Sequence, residues 1–320
     1  MVLVVANSES TEAFLGLDQE PGGISALSSA NGFRNPEDVQ QALQAVTYFA
    51  DDGLATAIFL ANELGKPLLL EGEPGVGKTA VAQALAGITG RELVRLQCYE
   101  GLDAAQSLYE WNYARQLLHL RAHEHGADVD DIYRPEFLLE RPLLRALRSE
   151  TGAVLLIDEV DRADAEFEAY LLEFLSDFQI SIPEMGTVSA RVKPLVILTS
   201  NRTRELHDAL KRRCMYHWID FPEQARERRI VEALAPGLTA EAAEALVAAV
   251  AQTRGMPLLK KPGIAESVDW ARGAHALEQR GVAWPVALGR SLGLLLKDQE
   301  DLARVAREAE GLLVGAGADA

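Results

Sequence analysis

Gly72-Glu73-Pro74-Gly75-Val76-Gly77-Lys78-Thr79 follows the apolar run Pro67-Leu68-Leu69-Leu70 and precedes the helix formers Ala80-Val81-Ala82-Gln83-Ala84-Leu85. Strand, glycine-rich loop and helix in that order make a phosphate cradle. Glycines let successive backbone N–H groups turn inward around an anion, and the following helix aims its positive N-terminus at the same point. Lys78 has the reach for β- and γ-phosphates, and the Thr79 hydroxyl can ligate Mg²⁺. The bland alternative is a chance glycine-rich turn, against which the placement between strand and helix argues.

Outward from that loop the same unit repeats. Leu93-Val94-Arg95-Leu96, Ala153-Val154-Leu155-Leu156-Ile157, Leu195-Val196-Ile197-Leu198 and Met215-Tyr216-His217-Trp218-Ile219 read as further strands. Helical spacing links Val39, Leu43, Val46 and Phe49, and again Phe167, Tyr170, Leu171, Phe174 and Leu175. A long helix is expected from about 104 to 125 and another around 137–147. Five strands alternating with helices predict an α/β fold with a parallel five-stranded sheet covered on both faces. After Pro222 the pattern is helical throughout, with Ala-rich stretches near 239–252, 264–280 and 284–296. The expected organisation is a flexible extension at 1–35, an α/β nucleotide-binding domain at 36–221 and a helical domain at 222–320.

Composition narrows the function. A chain of 320 residues has room for about two domains. Its 31 basic and 48 acidic residues give a net charge of −17, which opposes non-specific attraction to nucleic acid and anionic membrane. Two cysteines, Cys98 and Cys214, exclude a disulfide framework and read as ordinary buried thiols. The apolar Met1-Val2-Leu3-Val4-Val5-Ala6 is too short for a signal peptide or a membrane span, so a cytoplasmic protein is expected.

Two further motifs fall at strand ends. Leu155-Leu156-Ile157-Asp158-Glu159 closes an apolar strand with two acids, at the sheet edge where open α/β sheets bind ligands. Asp158 is placed to hold the Mg²⁺ shell and Glu159 to orient an attacking water. Thr199-Ser200-Asn201 ends the next strand, where the Asn201 amide can reach a γ-phosphate or the lytic water. Lys211-Arg212-Arg213-Cys214 precedes the fifth strand, and is either a solvated basic face or the source of an arginine for a neighbour's γ-phosphate.

Weaker signals remain. His119 and His123 stand one helical turn apart with His125 beyond, a spacing that suits an exposed helix end better than a metal site. Tyr99, Tyr109, Trp111 and Tyr113 either pack the core or form a gripping surface.

The combination of motifs resembles the AAA+ ATPases, and within them the MoxR type, over residues 36 to 311. The resemblance implies an ATP-binding set of Gly72, Glu73, Pro74, Gly75, Val76, Gly77, Lys78, Thr79 and Ala80. It further implies Mg²⁺ held by Thr79 and Asp158, catalysis by Glu159 with Asn201 as sensor, and an arginine finger at Arg213 or Arg212. The helical domain is implied to act as a lid. The second sensor arginine of such lids would fall on Ala265 or Glu266, so either Arg272, two turns on, substitutes or the lid contacts the nucleotide differently. Phe178-Gln179-Ile180-Ser181-Ile182-Pro183-Glu184-Met185-Gly186-Thr187-Val188 looks like the hairpin these proteins insert before the sensor strand. It reads as one unaided, with apolar residues alternating around its turn. Leu96-Gln97-Cys98-Tyr99-Glu100-Gly101-Leu102-Asp103, Tyr109-Glu110-Trp111-Asn112-Tyr113 and Glu205-Leu206-His207-Asp208-Ala209-Leu210-Lys211-Arg212-Arg213-Cys214 resemble the subgroup linked to maturation of carbon monoxide dehydrogenase and similar metalloenzymes. By that likeness the partners are copies of the chain in a ring of six, a separate von Willebrand factor A domain adaptor, and a client metalloenzyme. An AAA+ nucleic-acid motor or loader, and a nucleotide-dependent switch without turnover, are the alternatives. Net charge opposes the first, and phosphate release separates the second.

Overall fold

The computed structural model describes residues 33–102, 107–122, 132–182 and 185–315, with side chains as far as residue 308. The extension expected at 1–35 and the tip of the expected hairpin at 183–184 lie outside the described residues, apart from residues 33–35.

In chain order the elements are α1 (Pro36–Ala45), α2 (Asp52–Glu63), β1 (Leu68–Gly72), α3 (Lys78–Thr89) and β2 (Glu92–Gln97). There follow β3 (Tyr109–Trp111), α4 (Tyr113–Ala122), β4 (Leu138–Glu140), α5 (Pro142–Arg148), β5 (Ala153–Asp158) and α6 (Ala165–Asp177). Then come β6 (Gln179–Ile182), β7 (Gly186–Ser189), β8 (Leu195–Ser200), α7 (Asp208–Arg213) and β9 (Met215–Ile219). The remainder is helical: α8 (Gln224–Leu234), α9 (Ala240–Gly255), α10 (Ile264–Glu278), α11 (Trp284–Arg290), α12 (Leu292–Leu295) and α13 (Gln299–Gly315). Short polar side chains start several helices by accepting orphan backbone N–H groups: Asn35 from Asp38 (2.8 Å), Asp51 from Leu54 (2.8 Å) and Asp164 from Phe167 (2.9 Å).

Five parallel strands form the main sheet in the order β2-β5-β8-β1-β9. Strand alternation sorts their apolar residues to two faces. Leu69, Leu155, Ile157, Val196 and Leu198 pack with Leu143, Leu147, Phe167 and Phe174 on one face. Leu68, Leu70, Val154, Leu156 and Ile197 pack with Val39, Leu54, Ile58, Val81 and Leu85 on the other. A third cluster, built on Val231, Leu246, Val250, Trp270 and Leu295, is the core of the helical domain. The sheet, the covering helices and the helical C-terminal region are those predicted. β6 and β7 pair antiparallel, Ile180 opposite Val188, as the expected hairpin. Among the described residues no helix is long and apolar enough to cross a membrane.

Three expected helices are shorter than predicted or broken. Within the stretch from 104 to 125 the described residues are broken: Ser107 and Leu108 are helical, strand β3 follows, paired antiparallel with β4, and helix resumes at Tyr113. Trp111 is buried in the core, with Tyr109 and Tyr133 packed edge-on at 6.2 and 5.4 Å, and the Asn112 side chain accepts the Arg115 N–H at 3.0 Å. Aromatic burial and a cap thus overrule helix formers. Near 137–147 the helix waits for Pro142, because a residue before proline disfavours the helical region. The stretch with Val39 and Phe49 divides after Ala45, where Thr47 takes a left-handed φ of 60°.

A candidate nucleotide site at the sheet edge

The loop between β1 and α3 turns through Gly75 (φ 78°) and Gly77 (φ 97°), a left-handed geometry that only glycine adopts without strain and that directs N–H groups inward. Lys78 lies folded over this loop. Its Nζ donates to the carbonyls of Gly72 (2.7 Å) and Glu73 (2.8 Å), and the residue is buried. Burial pushes the ammonium below its usual range, while Asp161, Glu73, Asp158 and Glu159 pull the other way.

Parallel pairing brings the ends of β5 and β8 alongside the loop. Thr79 Oγ1 donates to Asp158 Oδ1 at 3.1 Å, and Thr199 Oγ1 donates to the same oxygen at 2.5 Å. The Thr199 hydroxyl also accepts the Glu159 N–H at 2.9 Å. Glu159 sits at a left-handed φ of 54°, an uncommon setting for a side chain of its size and one that functional sites maintain. Asn201 Nδ2 donates to Glu159 Oε1 at 3.4 Å. Buried Asp161 accepts N–H groups from Asn201 (3.2 Å) and Thr203 (2.8 Å) and so pins the segment after β8. A cleft of about 430 Å³ opens beside the loop, lined among others by Glu71, Glu73, Asn201, Arg202, Lys211 and Trp218.

Two participants are new to the structure. Arg95 Nη2 lies 2.6 Å from Asp158 Oδ2 and 2.6 Å from Gln97 Oε1. Gln97 Nε2 in turn donates to Glu159 Oε2 at 3.1 Å. Both side chains leave β2 on the face opposite the buried Val94 and Leu96. Alternation of polar and apolar residues from Val94 to Cys98 was the available signal.

The structure thus gathers Lys78, Thr79, Asp158, Glu159 and Asn201 in one place. It does not bring the expected arginines there within the chain. Arg213 ends α7, its Nε donating to Ser176 Oγ (2.8 Å) and its Nη1 to the Ala209 carbonyl (3.1 Å), and Arg212 is exposed. Arg272 donates twice to the Leu234 carbonyl, at 3.0 and 2.7 Å, inside the helical domain. That domain reaches the loop through the start of α10 instead. The Ile264 N–H donates to the Gly75 carbonyl at 2.8 Å, and Glu266 Oε2 caps Gly263 at 3.0 Å. A carboxylate therefore stands where a sensor arginine was sought. His119 packs on the Phe137 ring at 5.2 Å, while His123 and His125 lie outside the described residues. Cys98 and Cys214 are free, and burial pushes both thiols up to about 12.

The donor set suits Mg²⁺ bound with a nucleotide. Among the described residues there is no group of three or more His, Cys, Asp or Glu able to cage a metal alone. A hydroxyl and one carboxylate beside a phosphate loop are what Mg²⁺ uses when phosphates and waters complete its octahedron.

Residues 67–214 match the family model described as an AAA domain of the dynein-related subfamily. The chain is similar to Protein NorQ of Paracoccus denitrificans (strain Pd 1222), 28% identical over 280 residues, which span 84% of this chain and 94% of that protein. It is also similar to Midasin of Giardia intestinalis, 33% identical over 131 residues, 39% of this chain and 2% of Midasin. Among solved structures, a point mutant of RuvB from Thermotoga maritima superposes with a TM-score of 0.48 at 17% identity, covering 84% of this chain and 72% of that one.

Proposed function

We infer, from the premise that the chain belongs to the MoxR-type AAA+ ATPases with residues 67–214 as its AAA domain, that it hydrolyses ATP to remodel a client protein during completion of a metalloenzyme. The observation that carries the hydrolytic part is the convergence of Lys78, Thr79, Asp158, Glu159 and Asn201, drawn from three separated stretches of sequence. The backbone of Gly72 to Ala80 would cradle the phosphates, and Lys78 would exchange two carbonyls for β- and γ-oxygens. Thr79 and Asp158 would hold Mg²⁺, which when bound neutralises charge on the phosphates. Glu159, held at rest by Gln97 and Asn201, would orient the attacking water and take up its proton.

Arg213, with Arg212 beside it, is the candidate finger for the next subunit, so the working form is a ring, with six subunits by the resemblance. Loss of the γ-phosphate would be felt at Asn201 and passed along β8 to the hairpin of β6 and β7, which precedes it directly in the chain. Motif likeness supports a von Willebrand factor A domain adaptor and a client such as carbon monoxide dehydrogenase.

The test is a pair of variants. Lys78→Ala loses nucleotide binding, whereas Glu159→Gln keeps ATP and loses phosphate release, because orienting water is a transition-state task. Full turnover in Glu159→Gln refutes that role. The trapped Glu159→Gln chain, used as bait in native cells, identifies the client.

A further inference from the structure

Arg95 is half-exposed, yet it closes on a carboxylate that is only 4% exposed. Asp158 already accepts the Thr199 and Thr79 hydroxyls on Oδ1, so Arg95 holds the other oxygen, Oδ2, with Thr79 within 3.4 Å of it. A carboxylate offers about four lone-pair sites, and three donors leave little room for a metal with its waters. The same guanidinium nitrogen also grips Gln97 Oε1, which leaves Gln97 Nε2 to hold Glu159. One cation on the sheet's edge strand thus occupies the metal-side acid and, through one amide, steadies the water-side acid.

We propose that Arg95 is a resident counter-ion that competes with Mg²⁺ for Asp158. When the metal arrives with nucleotide, Arg95 gives up Oδ2, and Gln97 loses the partner that fixes its amide. Glu159 is then released toward water only after the metal is seated. Arg95 is on this view a positioning residue that sets how much Mg²⁺ the site requires, and the proposal rests on the Mg-ATP reading above. Its sign is unusual. An arginine that merely supported the site would weaken Mg²⁺ binding when removed, whereas a competitor strengthens it.

The experiment titrates Mg²⁺ against the full-length chain with a fluorescent ATP analogue, reading nucleotide affinity at each concentration and in EDTA. Arg95→Ala should lower the Mg²⁺ concentration at half-effect about two- to fivefold, the equilibrium weight of a half-exposed ion pair. Arg95→Lys, which restores a cation on a flexible stem, should return the requirement toward wild type. Thermal unfolding in EDTA verifies that each variant is folded. An equal or higher Mg²⁺ requirement in folded Arg95→Ala overturns the proposal. Absence of any Mg²⁺-dependent gain in the wild-type chain instead overturns the ATPase reading on which it rests.

Discussion

Two arginine–carboxylate pairs, one in each domain, look alike in formula and differ in every physical respect. In the helical domain Arg254 clasps Glu227 with two prongs, at 2.6 and 2.8 Å, with Glu227 buried and the Arg254 side chain only 10% exposed. Ser267 Oγ adds a third donor to Glu227, Arg254 Nε donates to the Pro262 carbonyl, and the guanidinium lies 4.5 Å from the Phe221 ring. At the sheet edge Arg95 meets Asp158 with one nitrogen, from a side chain open to solvent. A pair closed on both sides and bidentate is architecture. A single-pronged pair whose cation can swing into water is exchangeable, and that is the kind found at the proposed Mg²⁺ site.

The contrast breaks or sharpens under mutation. Removing Arg254 leaves a buried, unpaired carboxylate, so Arg254→Ala should cost about 3–5 kcal/mol in urea denaturation. A loss below about 1 kcal/mol would erase the distinction between the pairs. Next comes Gly263→Ala, whose new Cβ would stand 2.7 Å from the Gly75 Cα, a backbone atom with nowhere to go. Prising the helical domain off the loop this way should cost about 1–3 kcal/mol, together with weaker nucleotide binding by fluorescence titration. Arg95→Ala belongs at the small end, within about 1 kcal/mol of wild type in the same urea experiment, since its pair is half-exposed.

The gentlest probe is pH. His217 on β9 faces Asp51 and Arg226, and burial holds its imidazole below the ordinary 6.5 despite the pull of Asp51, with Arg226 adding to the depression. The unfolded chain therefore takes up this proton at higher pH than the folded one. Stability from this group is full above about 6.5 and declines as pH falls through and below that value. Thermal midpoints at about pH 7.5 and 5.5 should show the decline, and His217→Gln should flatten its own share of the slope.

What the sequence disclosed follows from how local each signal is. Gly72 to Thr79, Asp158-Glu159 and Asn201 announce themselves because a loop or a strand end carries its chemistry within a few residues. Arg95 and Gln97 were invisible as partners because their acids lie about sixty residues away, brought near only by the β2–β5 register that sets Gln97 opposite Asp158. Arg272 was read by counting along a helix, but it is spent on the Leu234 carbonyl. The short β3–β4 ribbon was missed because three residues are too few to establish a period, and the burial of Trp111 that selects strand there is a tertiary fact.

The hydrogen bond from Ile264 to the Gly75 carbonyl makes α10 a lever with its fulcrum on the phosphate loop. The helix has 15 residues and so extends about 22 Å from that point. A tilt of about 10°, which sub-ångström changes around Gly75 and Gly263 can produce, sweeps its far end through about 4 Å. By this geometry a small displacement at the loop becomes larger travel at the far end of α10.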